Sequence, residues 1–162
     1  MDVIYLDFDG VLHPAQGRRY RAAPAARHEF NGHVLFESCP VLEELLGPYP
    51  SLAIVLSTSW VQARGFRATK ECLTPGLQAR VIGATWDNRH LHVGDFAEAS
   101  RYEQIRKDVE VRDSSRWLAI DDDNEGWADK DLDALALMPE ALGLASSDAQ
   151  ALLRSRLAAR FP

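Results

Sequence analysis

The sequence predicts an α/β fold, a three-layer α/β/α sandwich around a central, mainly parallel five-stranded sheet. Three observations carry that expectation. Short apolar runs alternate with helical patterns along the chain, the pattern of a parallel sheet covered by helices on both faces. The run Leu52-Ala53-Ile54-Val55-Leu56 is apolar on both of its faces, as a strand buried between two helical layers must be. Three of the runs end in polar clusters, and an open parallel sheet gathers its ligand site at the carboxyl ends of its strands. Such a sheet is Rossmann-like.

The elements follow in order. The first strand is Val3 to Asp7, ending in Asp7-Phe8-Asp9-Gly10. Residues 13 to 38 contain Pro14, Gly17, Pro24 and Gly32 and resist assignment. A loop that long in a compact domain is usually functional or unstructured, so a small cap or flap and a solvated loop are both open. Pro40 to Leu46 reads as a helix, with proline in its first turn, Val41, Leu42, Leu45 and Leu46 apolar, and Gly47-Pro48 to stop it. Leu52 to Leu56 is the next strand, closed by Ser57-Thr58-Ser59. A helix is expected from Trp60 to Leu73, a strand from Arg80 to Ala84, a polar loop from Trp86 to Gly94, and a helix from Ala97 to Val109. Trp117 to Ile120 is a buried strand that runs into Asp121-Asp122-Asp123, and Leu132 to Met138 is the last strand. Ser147-Asp148-Ala149-Gln150 is a capping box opening a helix that turns Leu152, Leu153, Leu157 and Phe161 inward. No repeat or linker interrupts the pattern, so one domain over residues 1 to 162 is expected.

Composition narrows the function classes. Of 162 residues, 46% are hydrophobic, which excludes collagen-like and disordered chains. Cys39 and Cys72 lie in no C-x-x-C pattern and are expected to be reduced and inert. The apolar runs are far shorter than the roughly 20 residues of a membrane helix, and the first residues lack the basic start of a signal peptide, so a cytoplasmic protein is expected. A net charge of −6 argues against binding duplex nucleic acid. The local exception is His13 to His33, where Arg18, Arg19, Arg21, Arg27 and three histidines face the single acid Glu29, a patch suited to a phosphate. His13, His28, His33, His90 and His92 form no convincing helical pair and are not expected to bind metal. The four tryptophans are expected in the core or a lid, with Trp60 and Trp86 candidates for the mouth of a site.

The chemistry lies at the strand ends. In extended chain Asp7 and Asp9 project to one side while Phe8 points away, and Gly10 frees the backbone to turn. Two acids this close, joined by those at 121 to 123, repel unless a cation neutralises them. Mg²⁺ fits best, since it takes one or two carboxylates and leaves room for a phosphate.

Asp7-Phe8-Asp9-Gly10-Val11-Leu12 at the end of the first strand resembles motif I of the haloacid dehalogenase-like (HAD) superfamily, Ser57 resembles motif II, and Asp121-Asp122 resembles the paired-acid motif IV. Ser57-Thr58-Ser59-Trp60, Arg101-Tyr102-Glu103-Gln104-Ile105, Ile120-Asp121-Asp122-Asp123 and Gly143-Leu144, in that order, are similar to one small branch, the HAD domain of RNA-repair proteins and of uncharacterised bacterial proteins. The resemblance implies a Mg²⁺-dependent phosphatase. Asp7 would be the nucleophile, already ionised at neutral pH on its ordinary pKa, and Asp9 the general acid and base. Ser57 would hold a phosphoryl oxygen, with Thr58, Gly10 and Arg101 also on the substrate. Asp7, the Asp9 backbone carbonyl, Asp121 and Asp122 would hold the metal, with Asp123 a third choice among the last acids. The superfamily usually has a lysine at motif III, whereas this sequence offers Arg101 first and Lys107 second.

With so small an insertion the site is open, which suits a phosphorylated small molecule first and a nucleic-acid terminal phosphate second. The alternatives are a phosphotransferase and a catalytically weak binding or regulatory module of the same fold. No membrane and no obligate protein partner are expected.

Overall fold

A computed structural model describes residues 1–23, 28–86 and 98–162. Arg27, Pro24, His90, His92, nearly all of the expected 86–94 loop and the expected helix start at Ala97 lie outside the described residues.

Five strands form one parallel sheet: β1 (Asp2–Leu6), β4 (Ala53–Leu56), β5 (Val81–Ala84), β6 (Arg116–Asp121) and β7 (Leu135–Leu137), in the order β5-β4-β1-β6-β7. Alternation along these strands sorts the core into two layers. Ile4, Leu6, Ile54, Leu56, Leu118 and Ile120 face one side, packed with Leu42 and Leu46 of α1 (Cys39–Leu46), Leu77 of a short helix, and Leu153 and Leu157 of the C-terminal helix. Val3, Tyr5, Val55, Trp117 and Ala119 face the other, packed with Ile105 and Val109 of the helix Arg101–Arg112. The three-layer sandwich and five-stranded sheet are as the sequence predicts.

Several elements differ from expectation. The helix expected from Trp60 to Leu73 is two short ones, α2 (Trp60–Arg64) and α3 (Phe66–Lys70), broken at Gly65, whose φ of 84° no helix accommodates. A further helix, α4 (Pro75–Arg80), starts on a proline and takes the place of the first strand residue expected at Arg80. The next helix, α5 (Arg101–Arg112), is closed by a reciprocal capping box between Ser100 and Glu103. The first half of the expected last strand, from Leu132, is a 3-10 turn, Asp129–Ala134, leaving a three-residue β7. The C-terminal helix α6 (Ser147–Arg160) is capped one residue earlier than expected, by the Ser146 hydroxyl accepting from Ala149 N–H.

The described residues of the 13 to 38 segment, 13–23 and 28–38, pack onto the domain. They hold a 3-10 turn (Ala15–Tyr20) and a small hairpin, β2 (Glu29–Phe30) and β3 (His33–Val34), turned by Asn31 and Gly32 at φ of 51° and 80°. Two positive φ values in succession are what a tight hairpin turn demands. His13, Phe30 and Leu35 from this segment are buried. Cys39 is buried and Cys72 half-buried, both free, and burial pushes the Cys39 thiol up to about 12. Among the described residues, no helix is long and apolar enough to cross a membrane.

Candidate active site

Sheet register assembles the site. Leu6 lies opposite Leu56 on one side and Ile120 on the other, so Asp7, Ser57 and Asp121 are each the next residue beyond one common line. The ladder continues into them: Asp7 N–H donates to the Ile120 carbonyl at 3.1 Å, and Ser57 N–H to the Leu6 carbonyl at 2.8 Å.

Carboxylate oxygens of Asp7, Asp121 and Asp122 lie within 4.8 Å of one another. Asp121 is 1% exposed and its Oδ2 has no hydrogen-bond partner among the described residues, a costly arrangement for a buried anion without a counter-charge. Arg101, at the start of α5, supplies part of that charge, with Nη2 3.8 Å from Asp7 Oδ1 and Nε 3.4 Å from Asp121 Oδ2. One arginine against three acids leaves the group short of positive charge. An all-oxygen donor set with an orphaned buried oxygen suits a hard divalent cation. Asp9 keeps its carboxylate out of this group: Oδ1 lies 3.0 Å from His13 Nε2 and accepts from Trp60 Nε1 at 3.1 Å, and Oδ2 accepts from the same indole N–H at 3.0 Å.

Burial and like charges dominate the electrostatics. Burial raises the pKa of Asp7, with Asp9 pushing the same way, while Arg101, the Phe8 N–H and the Thr58 hydroxyl pull it down. Burial and Asp7 together raise Asp121 well above the usual range, and Asp122 is pushed up to about 7. Burial thus works against the Asp7 anion, and Arg101 works for it.

The Ser57 hydroxyl is fully buried, does not itself line the cleft, and has no hydrogen-bond partner among the described residues. Thr58 contacts Asp7 instead of opening to the cleft. Gly10 has φ of 71°, and a side chain there would run into the Asp122 carboxylate, so this glycine makes room for an acid. Asp123 is exposed and borders the cleft but lies outside the converging trio, its Oδ1 accepting from Glu125 N–H at 2.8 Å. Lys107 is exposed on α5 and does not line the cleft.

The cleft above the acids encloses about 420 Å³, and Ala15 and Arg18 of the 13 to 38 segment, Ser59 and Glu140 complete its wall. Sequence reasoning did not single out Ser59 and Glu140 for this role, and no local signal marks them. Of the arginine-rich patch, Arg18 reaches the cleft. Neither Trp60 nor Trp86 lines it; Trp60 is fully buried beneath Asp9 and Trp86 packs against the core. A second cleft of about 460 Å³ lies at the opposite end of the sheet, around Pro48, Tyr49, Arg116 and Phe161, away from the acidic cluster.

A parallel sheet in this order, with acids at the ends of β1 and β6 and a buried hydroxyl at the end of β4, defines an α/β protein of the HAD-like class. Gly143-Leu144 closes the constellation from behind, Leu144 N–H donating to the Val11 carbonyl at 2.9 Å. The chain belongs to the family described as the HAD domain in Swiss Army Knife RNA repair proteins, whose model matches residues 3–149. Searches of curated proteins and of solved structures found no match. Membership implies a hydrolase of the phosphatase type, in a family that usually uses Mg²⁺.

Proposed function

We propose that this domain is a Mg²⁺-dependent phosphatase that hydrolyses a phosphomonoester through an aspartyl-phosphate on Asp7. The observation that carries the reading is the convergence of Asp7, Asp121 and Asp122 within 4.8 Å beneath an open cleft. Asp7, Asp121, Asp122 and the Asp9 backbone carbonyl would hold the cation, which when bound offsets the negative charge that builds on the phosphoryl group.

An Asp7 carboxylate oxygen attacks phosphorus and the ester P–O bond breaks, Asp9 giving its proton to the departing alkoxide. Water then attacks the aspartyl-phosphate, Asp9 takes the water's proton, and inorganic phosphate leaves with Asp7 restored. The Ser57 hydroxyl, unpartnered among the described residues, donates to a phosphoryl oxygen throughout. Arg101 favours the Asp7 anion and receives the charge that develops on the transferred group. Replacing Arg101 with Ala is expected to lower turnover by about 10²-fold, the cost of losing one preorganised charge donor, and Lys107→Ala by less than about twofold. Steady-state kinetics of the two variants, side by side, check this.

A phosphorylated small molecule is the first substrate class. A nucleic-acid terminal phosphate is the second reading, favoured by Arg18 at the cleft wall and by the RNA-repair description of the family, and opposed by the net charge of −6. Phosphate release from sugar phosphates, nucleotides and end-phosphorylated oligonucleotides, with Mg²⁺ or EDTA, tests both. Mg²⁺-dependent release is expected, and its best substrate chooses the class. No release from any of them, with the fold intact, would turn the reading toward a phosphotransferase or a binding module.

A further inference from the structure

Asp9 is held by two residues that the reaction itself does not call for. His13 is fully buried, four residues on from Asp9 in the turn after β1, and Trp60 is fully buried at the start of α2. The His13 ring is oriented from its far side: Phe36 N–H donates to Nδ1 at 3.1 Å, so Nδ1 is an acceptor and the ring proton sits on Nε2, directed at Asp9 Oδ1. Phe36 makes that bond from φ of 61°, a left-handed conformation that a bulky residue adopts only when its surroundings enforce it. Its own ring meets the imidazole edge-on at 4.9 Å, and the Trp60 ring lies 5.6 Å away. Gly17 lies so close to the imidazole that any side chain there would strike it.

A carboxylate offers about four acceptor positions. On Asp9, His13 and Trp60 occupy both positions of Oδ1, and the shared indole N–H takes one of Oδ2. One position on Oδ2 is left, and Asp9 borders the cleft. We propose that His13 and Trp60 are positioning residues that seat the Asp9 carboxylate before substrate arrives, so that the proton given to the leaving group travels through Oδ2 alone. The proposal rests on the phosphatase reading. It assigns the 13 to 38 segment a task beyond walling the cleft: through Phe36 and His13 it sets the direction of the acid. The donors come from the packed interior, so the acid stands ready without closure of a movable lid.

The test is the rate of leaving-group release in a single turnover with Mg²⁺, across alkyl, phenyl and p-nitrophenyl phosphate. A group that positions the acid matters most when the leaving oxygen is most basic. His13→Leu and Trp60→Phe are expected to lose about 10²-fold on the alkyl ester and only about threefold on the nitrophenyl ester, within the range that general acid catalysis contributes. His13→Gln, whose amide N–H replaces Nε2–H, is expected to recover most of the alkyl loss. Circular dichroism establishes that each variant is folded. Should His13→Leu fail to fold, Trp60→Phe and Gly17→Ala, which pushes on the intact imidazole, carry the same comparison. Equal losses on all three esters, or no advantage of Gln over Leu, overturn the proposal and leave the phosphatase reading standing. Absence of release by the wild-type protein from every ester overturns the reading, and the proposal with it.

Discussion

Asp7→Asn abolishes phosphate release, by at least about 10³-fold, while the protein stays folded. The amide keeps the shape of the side chain and its hydrogen bond from Phe8 N–H, so the turn after β1 has no reason to change. What it loses is the nucleophile, without which no covalent intermediate forms. The same substitution removes a buried anion that Asp9 and Asp121 repel, so thermal unfolding in EDTA is expected at the same temperature as wild type or higher. Loss of activity with undiminished stability separates a catalytic role from a structural one. Turnover by Asp7→Asn within about tenfold of wild type would end the nucleophile assignment.

The metal-free protein becomes less stable as the solution turns from acid to neutral, and Asp122→Asn removes part of that loss. Asp122 rises from an ordinary 3.8 to about 7 on folding, through burial first and the charge of Asp7 second. The folded chain therefore holds the Asp122 proton where the unfolded chain has released it. This contribution is fully present below about pH 4 and is lost as pH rises through about 7, with Asp7 and Asp121 shifted in the same direction. In EDTA the melting temperature of Asp122→Asn is expected to exceed that of wild type by about 2 to 4 °C at pH 8, a modest figure because the side chain is only half-buried and solvent screens it. At pH 4 the two should melt together. Adding Mg²⁺ reverses the order at pH 8, because a ligand bound only by the folded form stabilises the chain that binds it more tightly. Differential scanning calorimetry at both pH values, with and without the cation, reads all of this. A difference independent of pH would show that the three acids do not form one coupled group.

The parts of the site that were legible are those for which a strand end is enough. Asp7, Ser57 and Asp121 follow apolar runs without interruption, and parallel register brings the three ends to one line whatever the loops do. Arg101 was legible only through the family resemblance, since the helical period was read from Ala97 and did not mark residue 101 as a start. The helix break at Gly65 was not read, because the apolar residues on either side continue a helical period across it. The Asn31-Gly32 hairpin carries a recognisable turn pair, but its strands are two residues long and offer no alternation to read. His13 stayed silent for a different reason. Its bond to Asp9 depends on Phe36, 23 residues on, and on Trp60 beyond the next strand, contacts that exist only once the chain has closed around them. The state of Asp7 was likewise a property of the assembled pocket, since its burial and neighbours move it away from the pKa its residue type suggests.

β1 is the first strand of the chain and the middle strand of its sheet, and the neighbours that flank it begin at Ala53 and Arg116. Neither partner is close in sequence, so both edges of β1 wait on the closure of long loops, a slow step compared with forming a helix. Until β6 arrives, one edge of this apolar strand stays open to pairing with another molecule. The acids of the pocket meet only when β1 and β6 are in register. Folding and the assembly of the reactive centre are thus one event, and a half-folded chain carries none of the chemistry.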